Sequence, residues 1–545
     1  MSKIKIFGMG GLDENGKNTY IVEVDNKIFI FDAGLKYAND SNFGIDYIIP
    51  DYKYLVDNRK RIVGVFVTHA HPESYGGVSD LIKNIPEIKV YGLKYTINQL
   101  ILDGVSEKNL HVLMPHKKIN FTKELSIFPI TVNHSVPDSC MYVLNTPDGA
   151  IVYTGDFIID PSMMGAYHMD LGKIAYVGKQ GVLALLGESS FAENIGHTSP
   201  NHHLSSFFKK LIAKTDGRII FSVLPVHLYT IEGIFNAAKN SHRKVVVMGK
   251  KLQNIINMAI KENYINIEEG QIGDLSNVND HNSILLISDD RSNAYNMFER
   301  IIAGNDKFIK LNEHDTVCFA EPKYDENEKA FVKVENELAI KGINTVSIPK
   351  GKGISLHASS EDIMIMLDLL KPKYYMPVKG EYRYMVRNAD LATNLGYSSE
   401  NIILKQNGDI VNFIDKKLVD KMEHINIDDT LIDGNSIEDI GDLVLKDREV
   451  LSENGIVLVS ATLSKKDKKI LVGPEITTRG FIYVKDSKEM IDEIKRISLE
   501  VIENNTTDKY IDFNNIKNDI RERLGKYFYV ETECKPMIIA VIQEI

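Results

Sequence analysis

Apolar residues in the first 200 positions gather in short runs rather than at helical spacing. Positions 19–24 and 27–32 alternate or run apolar on either side of the turn dipeptide Asp25-Asn26, and so predict a hairpin. Runs at 62–68, 125–132, 151–154 and 182–186 predict further strands, several of which stop abruptly at His, Asp or Glu. Such stops place a candidate site along one sheet edge. The plainer account is that polar residues simply open the next loop. From about Leu204 the pattern changes. Helical spacing at 205–213, 230–241, 252–263, 294–303 and 327–341 alternates with apolar runs at 218–223, 244–248, 283–288, 316–320 and 345–348. Strands alternating with helices predict a parallel sheet with crossover helices, in an α/β domain of about 150 residues. A helix at 359–370 is announced by the capping pair Ser359 and Asp362 and closed by Pro372, with a strand at 374–378 after it. The Asp-, Gly- and Asn-rich stretch 428–442 predicts a linker. Strands at 455–460, 469–472 and 537–543, with helices at 487–504 and 513–527, predict a small α+β unit at the end.

The composition narrows the class. The 545 residues carry 43% hydrophobic and 26% charged side chains, which excludes a disordered chain, a collagen-like repeat and a coiled-coil rod. At about 100–200 residues per domain the length predicts three or four domains. No run reaches about 18 apolar residues, so no membrane span is expected. The first residues, MSKIKIFGMGG, lack a signal core. Three widely spaced cysteines, Cys140, Cys318 and Cys534, exclude a disulfide framework and point to a cytoplasmic location. Lys and Arg number 64 against 75 Asp and Glu, a net charge of −11. That balance argues against non-specific coating of nucleic acid, while leaving room for a local basic groove, since screening confines charge effects to about 10 Å.

The candidate chemistry begins at His69-Ala70-His71, just past the run at 62–68. Two histidines two apart on extended chain project to one side and suit two imidazoles on one metal. His134 follows the run at 125–132, and Asp156 follows 151–154. Three His and one Asp at strand ends make a four-ligand set with room for a water. The alternative is a hydrogen-bonded polar cluster without metal.

These motifs resemble the metallo-β-lactamase fold, and the whole chain resembles the ribonuclease J family of β-CASP nucleases. The resemblance rests on Gly10-Gly11-Leu12-Asp13-Glu14-Asn15-Gly16-Lys17-Asn18, on the His69 motif, on His134-Ser135-Val136-Pro137-Asp138-Ser139 and on Ser355-Leu356-His357-Ala358-Ser359. Gly380-Glu381-Tyr382-Arg383, Gly473-Pro474-Glu475 and Arg479-Gly480-Phe481 extend it to nearly the full chain. It implies an αββα metallo-β-lactamase sandwich in two parts, 1–203 and 355–420, with a β-CASP α/β domain inserted at 204–354. A linker at 421–448 and an α+β dimerisation domain at 449–545 follow. It also implies two zinc ions and hydrolysis of RNA, as a 5′-to-3′ exonuclease preferring a 5′ monophosphate and as an endonuclease.

The chain departs from that pattern at several places. The family motif H-x-H-x-D-H reads His69-Ala70-His71-Pro72-Glu73-Ser74 here, and a later motif histidine is Lys379. By resemblance, one zinc set (His69, His71, His134, Asp156) is intact. The other falls on Glu73, Ser74, Asp156 and Lys379, where two imidazoles are lost and Glu73 is a weak ligand. Glu188 stands where the family has Asp, and His227 keeps a motif histidine. Asp156, Glu188, His227 and His357 are therefore the candidate catalytic residues. Ser355, His357, Ala358 and Ser359, at a helix start, form a candidate phosphate pocket with Lys379; the alternative is an ordinary helix cap. The expectation is at most one zinc per chain, with Mn or Mg as alternative ions. The function expected is RNA processing with weakened catalysis, in a homodimer or in a complex with an active paralogue. A fully active ribonuclease is the alternative, and a small-molecule metallo-hydrolase a remote one.

Overall fold

Period-two alternation builds two sheets that share one core. The computed structural model describes residues 2–38, 44–288, 295–321, 328–349, 351–352, 356–434, 442–481, 488–506 and 510–545. It divides into two compact units, Met1–Tyr37 with Tyr47–Thr430, and Ala38–Asp46 with Leu431–Ile545. In the first unit an eight-stranded sheet runs in the order Lys417–His424, Asp409–Ile414, Lys3–Gly10, Thr19–Val24, Lys27–Phe31, Ile62–Phe66, Val90–Gly92, Leu110–Val112. A six-stranded sheet runs Tyr374–Val378, Val182–Glu188, Gly149–Tyr153, Cys140–Thr146, Ser126–Thr131, Ile119–Asn120. Tyr20, Phe29, Phe31 and Phe66 of the first sheet bury against Ile127, Tyr142, Leu144 and Tyr153 of the second. Rings carry much of that contact, with Tyr20 and Tyr153 centroids 5.1 Å apart.

Helices cover the two outer faces. Ile130, Val143, Val152 and Leu185 point away from the shared core and meet Ile174 and Val177 of helix Leu171–Gln180 and Ile363, Met366 and Leu367 of helix Ser360–Leu370. On the other side Phe7 meets Tyr54 of helix Lys53–Asp57 edge-on at 5.3 Å. The layering is helix, sheet, sheet, helix, as the sandwich requires.

The inserted part holds five parallel strands in the order Val245–Val247, Ile284–Ile287, Ile219–Ser222, Thr316–Phe319, Asn344–Ser347. Its base is pinned by Arg218, whose buried guanidinium donates to both oxygens of Asp315, at 2.9 and 2.5 Å, and to the carbonyls of Val278 and Lys310 at 2.7 Å.

In the second unit strand Ile456–Leu463 lies between Ile470–Arg479 and Met537–Glu544. Its buried positions Val457, Val459, Ala461 and Leu463 meet Ile494, Ile497 and Val501 of helix Lys488–Asn504 and Ile516, Ile520, Leu524 and Phe528 of helix Phe513–Thr532. The helix repeats are threes and fours, the spacing of one helical face.

Two expectations change. The first 200 residues are not mostly strand: helices Val78–Asn84, Lys94–Leu102 and Leu171–Gln180 lie among the strands. Each buries only a few residues, which is too short a repeat to stand out against the strand pattern. The stretch expected as a linker, 421–448, is not bare chain. It contains the end of strand Lys417–His424, strand Asp429–Ile432 and the start of helix Asp442–Asn454, although 435–441 lie outside the described residues. No helix among the described residues is long and apolar enough to cross a membrane.

Candidate metal centre

Sheet edges bring the candidate ligands together. His69 and His71 follow strand Ile62–Phe66, His134 follows Ser126–Thr131, and Asp156 follows Gly149–Tyr153. One ligand atom from each of the four lies within 4.8 Å of the others, and all four residues are buried. The three imidazole centroids are 4.7 Å apart in every pair.

Hydrogen bonds to the outer ring nitrogens fix which nitrogens face inward. A carbonyl oxygen only accepts, so His71 donates from Nε2 to Val226 (2.9 Å) and His134 donates from Nδ1 to Leu356 (2.8 Å). His69 Nδ1 lies 2.9 Å from Thr68 Oγ1, and that hydroxyl in turn lies 3.0 Å from both oxygens of Asp32. Thr68 thus accepts from His69 and donates to Asp32. Tyr153 and the Thr68 amide also donate to Asp32, at 2.8 and 2.7 Å. Three lone pairs, on His69 Nε2, His71 Nδ1 and His134 Nε2, are left turned into the cluster, with Asp156 Oδ2 3.3 Å from His69 Nε2 and 4.0 Å from His134 Nε2. Outer hydrogen bonds of this kind orient metal-ligating histidines.

The centre fits a divalent ion. His134 Nε2 and His71 Nδ1 are 3.2 Å apart, and His69 Nε2 and Asp156 Oδ2 are 3.3 Å apart. Tetrahedral ligands at zinc distances stand roughly 3.3 Å from one another. Two facing lone pairs repel unless a cation lies between them. His69 Nε2 and Asp156 Oδ2 are buried without a hydrogen-bond partner among the described residues, a cost the ion would remove. Burial, and then the neighbouring imidazoles, push His71 and His134 well below the ordinary imidazole pKa, so the rings are neutral ligands at pH 7.

The other side of Asp156 is occupied by an ammonium. Lys379 Nζ pairs with Asp156 Oδ1, and both side chains are buried. Lys379 has a left-handed backbone, φ 63°, at the end of strand Tyr374–Val378. The turn is held from outside, because the Lys379 amide donates to Gly11 (2.9 Å) and the Gly380 amide to Glu14 (3.1 Å). The N-terminal glycine motif therefore aims Lys379 at Asp156. Burial raises Asp156, but the Lys379 ammonium and His357 overcome it and hold the carboxyl well below the usual range. Burial lowers Lys379, and Asp156, Asp32 and Glu188 overcome that, so its pKa is raised.

Beyond Asp156 lies a carboxylate–imidazole pair. His357 Nδ1 is 2.8 Å from Glu188 Oε2 and 3.8 Å from Asp156 Oδ2. Burial works against the imidazolium, yet Glu188 and Asp156 raise the His357 pKa above its ordinary value. Glu188 Oε1 also accepts from the amides of Phe157 (2.8 Å) and Ala358 (3.1 Å). That bond corrects one expectation. At the start of helix Ser360–Leu370 the amides are engaged: Ala358 with Glu188, Ser359 with Asp362 (3.2 Å), Ser360 with Asn194 (2.9 Å) and Glu361 with Gly196 (3.0 Å). The helix start is capped, and the group left facing the centre is the His357 ring rather than free amides. Ser355 lies outside the described residues.

Two further residues fall at the rim. Glu73 Oε1 is 3.9 Å from His71 Nδ1 and stands outside the four-ligand set. His227 stacks on His71, with centroids 6.0 Å apart, at the cap of helix Leu228–Ala238. Sequence reasoning missed Asp32 and Thr68. The signal was present, since Asp32 ends a buried strand just as Asp156 follows one.

A sandwich with an H-x-H pair and distant His and Asp at its sheet edge, interrupted by a parallel α/β domain, defines a metallo-β-lactamase-fold protein with a β-CASP insert. Family models agree: "Metallo-beta-lactamase superfamily" matches residues 12–163, "Ribonuclease J, beta-CASP domain" 216–338, "Zn-dependent metallo-hydrolase RNA specificity domain" 346–404 and "Ribonuclease J C-terminal domain" 443–545. Ribonuclease J 2 of Staphylococcus epidermidis is 33% identical over 552 residues, covering 99% of this chain and 98% of that protein. Ribonuclease J 2 of Staphylococcus aureus is 33% identical over 550 residues with the same coverage. The chain belongs to the ribonuclease J family. In fold it is also similar to a crystal structure of a protein of unknown function from Enterococcus faecalis, with a TM-score of 0.52 at 16% identity over 75% of this chain and 100% of that one.

Proposed function

We propose that the chain serves RNA processing of the ribonuclease J type in the cytoplasm, as a subunit that binds RNA but cleaves it weakly or not at all alone. One observation carries the reading: the Lys379 ammonium sits on Asp156, on the side where the family resemblance calls for a second ion. His69, His71, His134 and Asp156 would hold one divalent ion, with zinc suited to three imidazoles and a carboxylate. Such an ion supplies Lewis acidity and lowers the pKa of a water nearby.

The chain's own groups then do the following. Lys379 neutralises Asp156 and offers one fixed positive charge to a phosphate. An ammonium cannot bridge two oxygens, so it replaces only part of what a second ion does in a two-metal displacement. His357 is oriented by Glu188 through Nδ1, which leaves Nε2 to hold a proton toward a phosphate oxygen. Its raised pKa favours the charged form, suited to a 5′ monophosphate. His227, stacked on His71, flanks the same opening. Relatives named Ribonuclease J 2 support RNA processing of this type, and the pairing with an active paralogue is part of the proposal. The test is turnover of 5′-monophosphorylated RNA by the purified chain, with and without Mn²⁺ or Zn²⁺. Retained binding with little turnover is expected. Robust turnover would establish instead a fully active ribonuclease.

A further inference from the structure

A second cluster of histidines lies outside the centre. Asp160 Oδ2 is 2.6 Å from His203 Nε2 and 3.0 Å from His202 Nε2. Ligand atoms of all three lie within 4.8 Å of one another. Ser162 completes the surround, with its amide 2.8 Å from Asp160 Oδ1 and its hydroxyl 3.3 Å from His203 Nε2. Asp160 is almost fully buried, at 3% exposure, and its ion-pair partners among the described residues are His202 and His203 alone. A buried carboxylate with no lysine or arginine beside it is a favourable place for another cation.

His202 supplies the second observation. Its ring is 3% exposed, and neither Nδ1 nor Nε2 has a hydrogen-bond partner among the described residues. Nε2 nevertheless stands 3.0 Å from the carboxylate, so the ring faces Asp160 without the angle of a hydrogen bond. A hydrogen-bonded triad explains the His203 contact but not this one. A metal ion does, because a ligating nitrogen aims its lone pair at the ion and not at the neighbouring ligand. The His202 separation is about 0.3 Å and the His203 separation about 0.7 Å short of the roughly 3.3 Å of tetrahedral ligands, so the exposed His203 ring moves back to admit an ion. His203 is the entry side, with its side chain 36% exposed.

We infer that Asp160, His202 and His203 form a second metal site, for a first-row divalent cation of the zinc type, with its fourth position open to solvent. Two imidazoles and one carboxylate are a borderline-soft donor set, which prefers zinc, cobalt or nickel over magnesium or calcium. The site is coupled to the centre by chain. The Asp160 amide donates to Asn133 Oδ1 (2.9 Å), and Asn133 adjoins the ligand His134. An ion at Asp160 would stiffen the loop that presents His134. The zinc count of the chain then exceeds the single ion that the sequence reading allowed, through residues that reading did not consider.

Zinc binding by the full-length chain tests this. Protein stripped with chelator is equilibrated with Zn²⁺, freed of loose metal and analysed for zinc, and the absorption spectrum of a Co²⁺-loaded sample reports ligand geometry. The His202→Ala/His203→Ala chain is expected to hold one zinc fewer than the parent and to lose one tetrahedral cobalt component. That loss supports the site whether or not the centre's own variant, His71→Ala/His134→Ala, also loses an ion. Asp160→Asn keeps the shape of the carboxylate and guards against a folding defect; it too is expected to lose one ion while its circular dichroism matches the parent. An unchanged zinc count and cobalt spectrum in a folded Asp160→Asn or His202→Ala/His203→Ala chain would overturn the proposal.

Discussion

Lys379 and Asp156 set the chemistry at the scale of single residues. Their pairing leaves a carboxylate that is balanced from one side by an ammonium and lies 3.3 and 4.0 Å from the inward nitrogens of His69 and His134 on the other. Removing the ammonium alone leaves Asp156 buried beside the neutral rings of His71 and His134, with the more distant His357 ring, 3.8 Å away, to offset its charge. Lys379→Ala in chelated protein is expected to lose about 3–5 kcal/mol in urea denaturation, the usual cost of stranding a buried charge. Zinc should restore part of that loss by neutralising Asp156 from the other side; equal losses with and without zinc would mean that no ion reaches the centre. Changing the ligands is a different experiment. Ser74→His, Lys379→His and Glu73→Asp together should add one zinc and raise RNA cleavage. A rise in metal with flat cleavage would shift the limit to Glu188, His227 and their surroundings.

At the scale of elements, close packing holds the ligand loops in place. Gly34, just past strand Lys27–Phe31, lies against the backbone of Glu73, and a Cβ there would stand 1.7 Å from the Glu73 carbonyl oxygen. Since Glu73 follows His71 directly after Pro72, Gly34→Ala must push the histidine loop away. Expected are a fall in melting temperature worth several kcal/mol, about 3 or more, and loss of the centre's zinc. A Cβ on Gly233, inside helix Leu228–Ala238, would meet only the Phe208 ring, at 3.7 Å, among the described residues. Gly233→Ala should raise stability by up to ~1 kcal/mol, which makes it the matched control. Much of this architecture was legible beforehand. Strand Thr19–Val24 and strand Tyr374–Val378 stand where alternation and apolar runs put them, and Ser359 with Asp362 marks the start of helix Ser360–Leu370. The grouping of the four candidate ligands was legible because each follows a strand end. The Ser359 amide's engagement was legible in its capping pair with Asp362, but that of Ala358 was not, because its acceptor, Glu188, reaches the helix start only through tertiary packing. Asp160, His202 and His203 were not legible for the same reason, being some forty positions apart along the chain and joined only by the fold.

The whole molecule poses two questions, association and RNA. In the C-terminal unit, strand Ile470–Arg479 leaves Leu471 and Val472 57% and 58% exposed. Exposed apolar residues on an edge strand are a surface for pairing. Cutting the chain after Asp447 would sever helix Asp442–Asn454, so substitution is the cleaner test: Leu471→Glu/Val472→Glu should shift the chain to monomer by sedimentation, and an unchanged oligomer would locate the contact elsewhere. RNA binding tests charge on the same scale. A net charge of −11 repels a polyanion, so RNA affinity is expected from a local site, proposed beside His357, and not from the surface at large. Each phosphate neutralised contributes about −0.7 to the slope of log K against log salt for a single strand. A groove that meets about three phosphates then gives a slope near ~−2. A slope several times steeper would mean that a broad basic face binds RNA. His357→Ala should weaken a 5′-monophosphorylated strand more than a 5′-hydroxyl strand, because the charged ring meets the terminal phosphate and not the chain behind it. Equal losses for the two strands would remove His357 from the phosphate site and leave Lys379 as the fixed charge available there.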